Sequence, residues 1–311
     1  MKKILSIDGG GIRGLIPALI LSEIEKKTGK PISKCFDLIA GTSTGGILAL
    51  GLTKPGEDGQ PEFSASDLAK IYQKRGKEIF NRSFWKGMSS VGGLADELYD
   101  HDGLEKMLAE YFGDTPIKEA LTPVLIPTYD ISNRVPLFIK SWRDEHFTVL
   151  MKHVARATSA APTFFEPSLV TINGSRKPLV DGGIFINSPS VSAYAEAIRI
   201  FDDEEHFLLL SLGTGELNRP IAYEEARDWG KISWLRPLLD CIFDGVSDAA
   251  DYQLKKFLGD DYIRLQANLD VASDDMDNVS EGNIKNLEAE AKKLIRVYKE
   301  TINNLCELLG D

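Results

Sequence analysis

Ser43 stands at the centre of Gly41-Thr42-Ser43-Thr44-Gly45, a G-x-S-x-G pattern between an apolar run at 36–40 and a second at 47–52. A sharp passage from strand to helix needs small residues on both sides of the turn. Glycine at 41 and 45 would let the serine hydroxyl project above a sheet edge, near a helix N-terminus, where a nucleophile for acyl transfer belongs. A plain Gly/Ser turn is the alternative that these five residues leave open. Further upstream, Asp8-Gly9-Gly10-Gly11-Ile12-Arg13-Gly14 follows a short apolar run. Read literally, Gly9, Gly11 and Gly14 spell G-x-G-x-x-G between strand and helix, the context of a dinucleotide fingerprint. That fingerprint also wants a carboxylate at the end of the second strand to hold a ribose. Asp37, the only one nearby, opens that strand instead. No G-x-x-x-x-G-K-[ST] occurs at either turn. Three successive glycines can instead converge their backbone N–H groups on one point, as the oxyanion of an ester under attack requires. Gly9, Gly10 and Gly11 are therefore the candidate oxyanion hole. Arg13 could orient that turn, attract an anionic head group, or pair with a surface acid, and all three stay open.

An acyl-transfer serine needs a base, and there are four histidines, His101, His146, His153 and His206. Ser43, Asp181 and His206 satisfy the order Ser-Asp-His, but His206 opens the run "HFLLLSLG", at the end away from the edge where an elbow presents its serine. His101 and His153 fall on helical stretches, where satisfied structural histidines are the commoner outcome. Asp181, which closes "KPLV" and precedes Gly182 and Gly183, is the better candidate. A carboxylate at the carboxyl edge can take a serine proton once burial raises its basicity. Alone, Asp-Gly-Gly reads as a tight turn whose aspartate bonds its own backbone. The other two turns favour the base.

The elements that must position these residues follow from hydrophobic period. "KILSID", "FDLIAG", "VLIPTYDI", "PLFIKSW", "PLVDGG", "HFLLLSLGTG" and "YIRLQA" read as strands. Helical periodicity falls at 15–27, 44–53, 66–79, 102–112, 149–158, 189–201, 231–257 and 281–309. Such alternation predicts an α/β fold, a three-layer αβα sandwich around a mostly parallel sheet. With no Pro/Ser-rich linker or repeat, residues 1–311 are expected to form one domain, with a helical insertion at about 60–120 and a closing helix at about 281–309.

The chain has 311 residues, 43% of them hydrophobic and 27% charged, enough for a full core. A net charge of −11 argues against a nucleic-acid partner, whose phosphates need clustered Lys and Arg. The opening "MKKILSID" has too short an apolar run for a signal peptide or a membrane span, so a cytoplasmic location is expected. Cys35, Cys241 and Cys306 are far apart and read as buried thiols rather than a disulfide framework or a metal site.

With these turns in view, the chain resembles the patatin-like phospholipases, lipid acyl hydrolases that work with a Ser-Asp dyad and no histidine. Their D-G-G-G-x-R-G loop, G-T-S-x-G elbow and later D-G-G or D-G-A appear at 8–14, 41–45 and 181–183. The likeness continues through "ATSAAPTFFEP" (157–167), Asn187-Ser188-Pro189 and "LSLGTG" (210–215), and "MDNVSEGNIKNL" (276–287) is similar to the C-terminal part of plant patatins. The resemblance implies Ser43 as nucleophile and Asp181 as general base, with the amides of Gly10 and Gly11, and with them Gly9, as oxyanion hole. Arg13, Gly41, Gly45 and Gly182 support them, and neither a cofactor nor a metal is implied. The implied substrate is a phospholipid or galactolipid, met by peripheral contact with a membrane surface. A homodimer and a small-molecule activator, such as the cyclic nucleotides that switch some bacterial patatin-like lipases, stay open. So do two other classes, a phosphate-binding regulator and a noncatalytic storage protein, the latter disfavoured by the intact Ser43 and Asp181.

A lipase must also meet aggregated substrate. "NRSFWKGMSSVGG" (81–93) mixes Phe84, Trp85 and Met88 with Arg82 and Lys86, as an interfacial flap would, or as a loop anchored by its aromatics. Trp234, Leu238, Leu239, Ile242, Phe243 and Val246 make an apolar stripe read as core packing, with a dimer or membrane face as the alternative. The last helix, from Leu287 to Leu309, is expected to dock on its own sheet.

Overall fold

The computed structural model describes residues 1–79, 101–162, 164–216 and 220–310. The flap expected at 81–93 lies outside them. Among the described residues eight strands form one sheet: β1 (Lys2–Ile7), β2 (Leu38–Gly41), β3 (Val124–Asp130), β4 (Val135–Lys140), β5 (Ser168–Ile172), β6 (Ser175–Asp181), β7 (Phe207–Leu212) and β8 (Tyr262–Leu265). The order is β5-β6-β3-β2-β1-β7-β8, with β4 paired to β3. β3, β2, β1, β7 and β8 run parallel; β4 and β6 are antiparallel to β3, and β5 to β6.

Helices α1 (Leu15–Thr28), α2 (Ile32–Cys35), α3 (Thr44–Thr53), α4 (Ala65–Ile79), α5 (His101–Phe112) and α6 (Met151–Thr158) come before β5 in the chain. Then follow α7 (Ser190–Ile200), α8 (Tyr223–Ala226), α9 (Lys231–Leu258), α10 (Glu281–Val297) and α11 (Lys299–Gly310). Strand side chains alternate between the two faces, and each face feeds its own core. Leu5 and Ile7 of β1, Ile39 of β2 and Leu208 and Leu210 of β7 join the core under α1, α3, α4, α5 and α6. Ile4, Leu38, Ala40 and Leu209 point the other way, toward Ala193 and Ala197 of α7 and Leu254 of α9. Two cores on one sheet are the three-layer α/β arrangement that the apolar strands implied.

Several expectations change. β5 was not read as a strand. The closing helix is broken at Tyr298 into α10 and α11, and both pack on α1 rather than directly on the sheet. The α9 stripe is not core along its length. Trp234 and Leu238 are exposed, whereas Ala250 and Leu254 are buried. Cys241, on the same helix, is also exposed, unlike buried Cys35 and Cys306. No helix among the described residues is long and apolar enough to cross a membrane.

Candidate active site

β1, β2 and β7 end level: Ile7 pairs with Gly41 on one side and with Leu212 on the other. The turns that follow, at 8–11, 42–43 and 213–215, therefore leave the carboxyl edge of the sheet side by side. Asp181 reaches this edge from the opposite direction, which corrects the picture of a parallel strand delivering it. β2 pairs with β3 only as far as Leu125, and β4 fills the other edge of β3. The vacated stretch of β3 is taken by β6, which runs back toward β2 and stops at Asp181, opposite Thr128.

Ser43 joins β2 to α3 with φ 55° and ψ −123°, a conformation that non-glycine residues rarely adopt. Packing imposes it. A Cβ on Gly41 would lie 2.1 Å from the Gly45 carbonyl oxygen, and one on Gly45 would lie 2.2 Å from that of Ile7. Only glycines let α3 start so close to the ends of β1 and β2. The Ser43 N–H donates to Thr158 Oγ1 at 3.0 Å, and Thr158 donates in turn to the Pro127 carbonyl at 2.8 Å, which braces the turn against β3.

The Asp181 carboxylate is buried, accepts the Gly183 N–H at 2.7 Å, and lines the same cavity as Ser43, whose hydroxyl favours its charged form. Burial pushes its pKa up to about 7, Ser43 and Gly183 offsetting this only in part. A carboxyl group so shifted can hold or release a proton near neutrality, as a general base must. Gly182 is needed for contact with β3, since a Cβ there would sit 2.5 Å from the Pro127 oxygen.

The glycine turn divides its amides. Gly9 N–H donates to the Asn187 carbonyl at 3.1 Å, which removes it from the expected set of free donors. The amides of Gly10 and Gly11 have no acceptor among the described residues, and both glycines line the same cavity as Ser43 and Asp181. Gly11 has φ +58°, and a Cβ there would lie 2.2 Å from the Met276 carbonyl oxygen. Arg13 turns inward: Nε donates to the Gly10 carbonyl at 3.3 Å and Nη1 to that of Gly215 at 3.0 Å. Both of these acceptors are carbonyls of the turns that leave the carboxyl edge of the sheet.

No described histidine lines this cavity. His146 is buried and accepts the Lys140 N–H on Nδ1, His153 is exposed on α6, and the His206 carbonyl accepts from Lys2 at the amino end of the sheet. Among the described residues, no three His, Cys, Asp or Glu gather as a metal site would require.

Behind Ser43 the cavity opens to about 1000 Å³ of space continuous with solvent. Its walls are apolar: Ile47 of α3, Leu68 and Ile71 of α4, and Met107, Leu108 and Phe112 of α5. With α3, helices α4 and α5 thus form a greasy slot leading away from a polar corner.

The model of the patatin-like phospholipase family matches residues 5–194, well over half of the chain. The chain belongs to that family. Patatin-like protein 2 of Arabidopsis thaliana is 33% identical over 96% of this chain and 83% of its own, and that of Oryza sativa subsp. japonica is 33% identical over 92% and 82%. Patatin-2-Kuras 1 of Solanum tuberosum is 32% identical over 100% of this chain and 93% of its own. Among solved structures, VipD from Legionella pneumophila aligns over 94% of this chain and 67% of its own at 12% identity and a TM-score of 0.38.

Further residues of the patatin-like chain hold this corner together. Thr158 lies within the stretch "ATSAAP" but showed no chemistry of its own. Arg264 is a lone cation inside the apolar run "YIRLQA", and its partners are not announced by the residues around it. It reaches across β7 to donate to Ser211 Oγ at 2.8 Å and to pair with buried Asp8 at 2.7 Å. The Asp8 carboxylate holds the Arg264 pKa above its usual range against the opposing effect of burial. This pair anchors the first residue of the glycine turn to the neighbouring strands.

Proposed function

We propose that this protein is a serine hydrolase of fatty-acyl esters in membrane lipids, of phospholipase A or lysophospholipase type. One observation carries the reading: Ser43 and the buried carboxylate of Asp181 line one cavity with Gly10 and Gly11, at the mouth of an apolar slot. In its ionised form Asp181 takes the Ser43 proton as Oγ attacks the ester carbonyl. The developing oxyanion is met by the amides of Gly10 and Gly11, which need no rearrangement to receive it. Collapse expels the lyso-lipid or alcohol with the proton from Asp181. Water, deprotonated by the same carboxylate, then releases the fatty acid from the acyl-enzyme and restores Ser43. The acyl chain occupies the slot under α4 and α5, and the head group stays toward the membrane surface, which the protein meets peripherally. The residues 1–311 act as one unit in this reading, with the insertion as acyl wall.

The test is release of free fatty acid from mixed phosphatidylcholine and phosphatidylglycerol vesicles, with EDTA present, by wild type, Ser43→Ala and Asp181→Asn. Release by wild type alone is expected. Equal release by Ser43→Ala would sink the proposal. The slot makes a separate prediction. Each buried methylene contributes about 0.8 kcal/mol, so blocking four of them costs about 3 kcal/mol, or about a hundredfold. Met107→Trp is expected to lower kcat/KM for a p-nitrophenyl decanoate at least about tenfold more than for the butanoate. An equal fall on both esters would show that the chain lies elsewhere.

A further inference from the structure

The turn at 213–215, the end of "LSLGTG", has no part in the chemistry above, yet it touches the glycine loop at two points. Thr214, buried beside Gly10, donates its hydroxyl to the Gly9 carbonyl at 2.7 Å. It packs so closely that a Cβ on Gly10 would fall 2.2 Å from Thr214 Oγ1. The next residue, Gly215, offers its carbonyl to Arg13 Nη1 at 3.0 Å, and Arg13 grips the Gly10 carbonyl through Nε at 3.3 Å and through its own N–H at 3.2 Å. The turn is itself held: Gly215 N–H donates to Gln266 Oε1 at 2.9 Å and Gly213 N–H to the Leu265 carbonyl at 2.9 Å, both just beyond or at the end of β8.

A trans peptide is planar, with its C=O and the following N–H pointing in opposite directions. A partner that fixes the carbonyl of Gly9 therefore aims the N–H of Gly10, and one that fixes the carbonyl of Gly10 aims the N–H of Gly11. Thr214 does the first directly. Gly215 does the second through Arg13. The two amides without an acceptor among the described residues belong to the two peptides whose carbonyls are held from behind.

We infer that Thr214 is a positioning residue for the oxyanion hole, acting through the Gly9–Gly10 peptide; this rests on the reading of Gly10 and Gly11 as the oxyanion donors. Without its hydroxyl the Gly9 carbonyl loses its anchor, the peptide is free to rotate, and the donor is lost for part of the time. Loss of one oxyanion donor costs about 10²–10³ in rate. A donor misaimed but still present should cost about 10- to 100-fold.

The experiment measures kcat and KM on a soluble p-nitrophenyl ester for wild type, Thr214→Val and Thr214→Ser, with affinity for a trifluoromethyl ketone, whose Ser43 adduct carries an oxyanion, and for a non-reactive ether analogue. Thr214→Val is expected to lose about 10- to 100-fold in kcat with KM within about twofold. Ketone affinity should weaken by the same factor while ether affinity holds, and Thr214→Ser should recover most of the rate. Unchanged kcat in a folded Thr214→Val, equal losses in valine and serine variants, or equal weakening of both analogues would each overturn the inference. If the valine variant does not fold, Thr214→Ala takes its place with the same expected split. Wild type that neither turns over the ester nor reacts at Ser43 with a fluorophosphonate would sink the hydrolase reading, and the inference with it. An active wild type beside an unaltered Thr214→Val would sink the inference alone.

Discussion

Ser43→Ala and Ser43→Gly are both expected to lose ester hydrolysis by about 10⁴-fold or more, yet to differ in stability, with the glycine variant the more stable by about 1 kcal/mol. The activity loss follows from removing the nucleophilic hydroxyl beside Asp181, so no acyl-enzyme can form. The stability difference follows from φ 55° at position 43, which a side chain tolerates at a cost of about 1–3 kcal/mol. Alanine keeps that strain and glycine releases it, less about 0.5–1 kcal/mol for the greater freedom of glycine in the unfolded chain. Because both variants lack the hydroxyl, the lost bond to Asp181 cancels between them, and the comparison isolates the backbone. In a chain of this size about 1 kcal/mol is a shift of about 2 °C in Tm, measurable by scanning calorimetry. Alanine and glycine variants that melt together would mean that the elbow stores no strain, and that Ser43 is presented by packing alone.

The parts of this site that could be read from sequence are those in which glycine is obligatory. Gly41, Gly45 and Gly182 each face a carbonyl oxygen less than 2.6 Å from where a Cβ would be, so their spacing recorded the turns before any fold was known. The layers were legible too, because strands such as β7 are apolar on both faces and only a sheet covered twice can hide them. Strand direction was the harder matter. β6 arrives antiparallel because it is the second arm of a hairpin with β5, whose turn residues Asn173 and Gly174 have φ 47° and 74°. Asn-Gly between alternating residues is a strong hairpin signal and was present in the sequence. The exposed, alternating side chains of edge strand β5 hid it. Thr158, Thr214 and Arg264 were opaque for a different reason. Each is tied to the site by a bond to a partner more than a hundred positions away, which neither residue type nor spacing announces. The apolar stripe of α9 misled because period 3.6 reports one face of a helix, not what covers it. Trp234 and Leu238 carry the pattern into solvent.

Asp181→Asn is expected to cut turnover by about 10³–10⁴ and to make the folded protein more stable, by a gain that builds as pH rises from about 4 to about 7 and is level above that. The sign follows from the direction of the shift. Asp181 has its pKa raised from 3.8 to about 7, so between those values the folded state keeps a proton that the unfolded chain has lost. Stability therefore falls as pH rises through that window and is level above about 7, where the carboxylate is charged in both states. At about 1.4 kcal/mol per unit, the buried charge costs about 4 kcal/mol at pH 8. Asparagine can accept from Gly183 as the carboxylate does but carries no charge, so the variant should melt several degrees above wild type at pH 8 and alongside it near pH 4. The same titration governs turnover. Ionised Asp181 is the base, so wild-type kcat/KM should rise about tenfold per pH unit below about 7 and level off above it. In Asp181→Asn the rate should be lower by about 10³–10⁴, with that inflection gone. A wild-type profile without an inflection between pH 5 and 8, or an asparagine variant less stable than wild type at pH 8, would place the proton of Ser43 with another acceptor. Activity and stability are opposed at this residue for one reason: the burial that makes the carboxylate basic enough to deprotonate a serine also makes its charge expensive to keep.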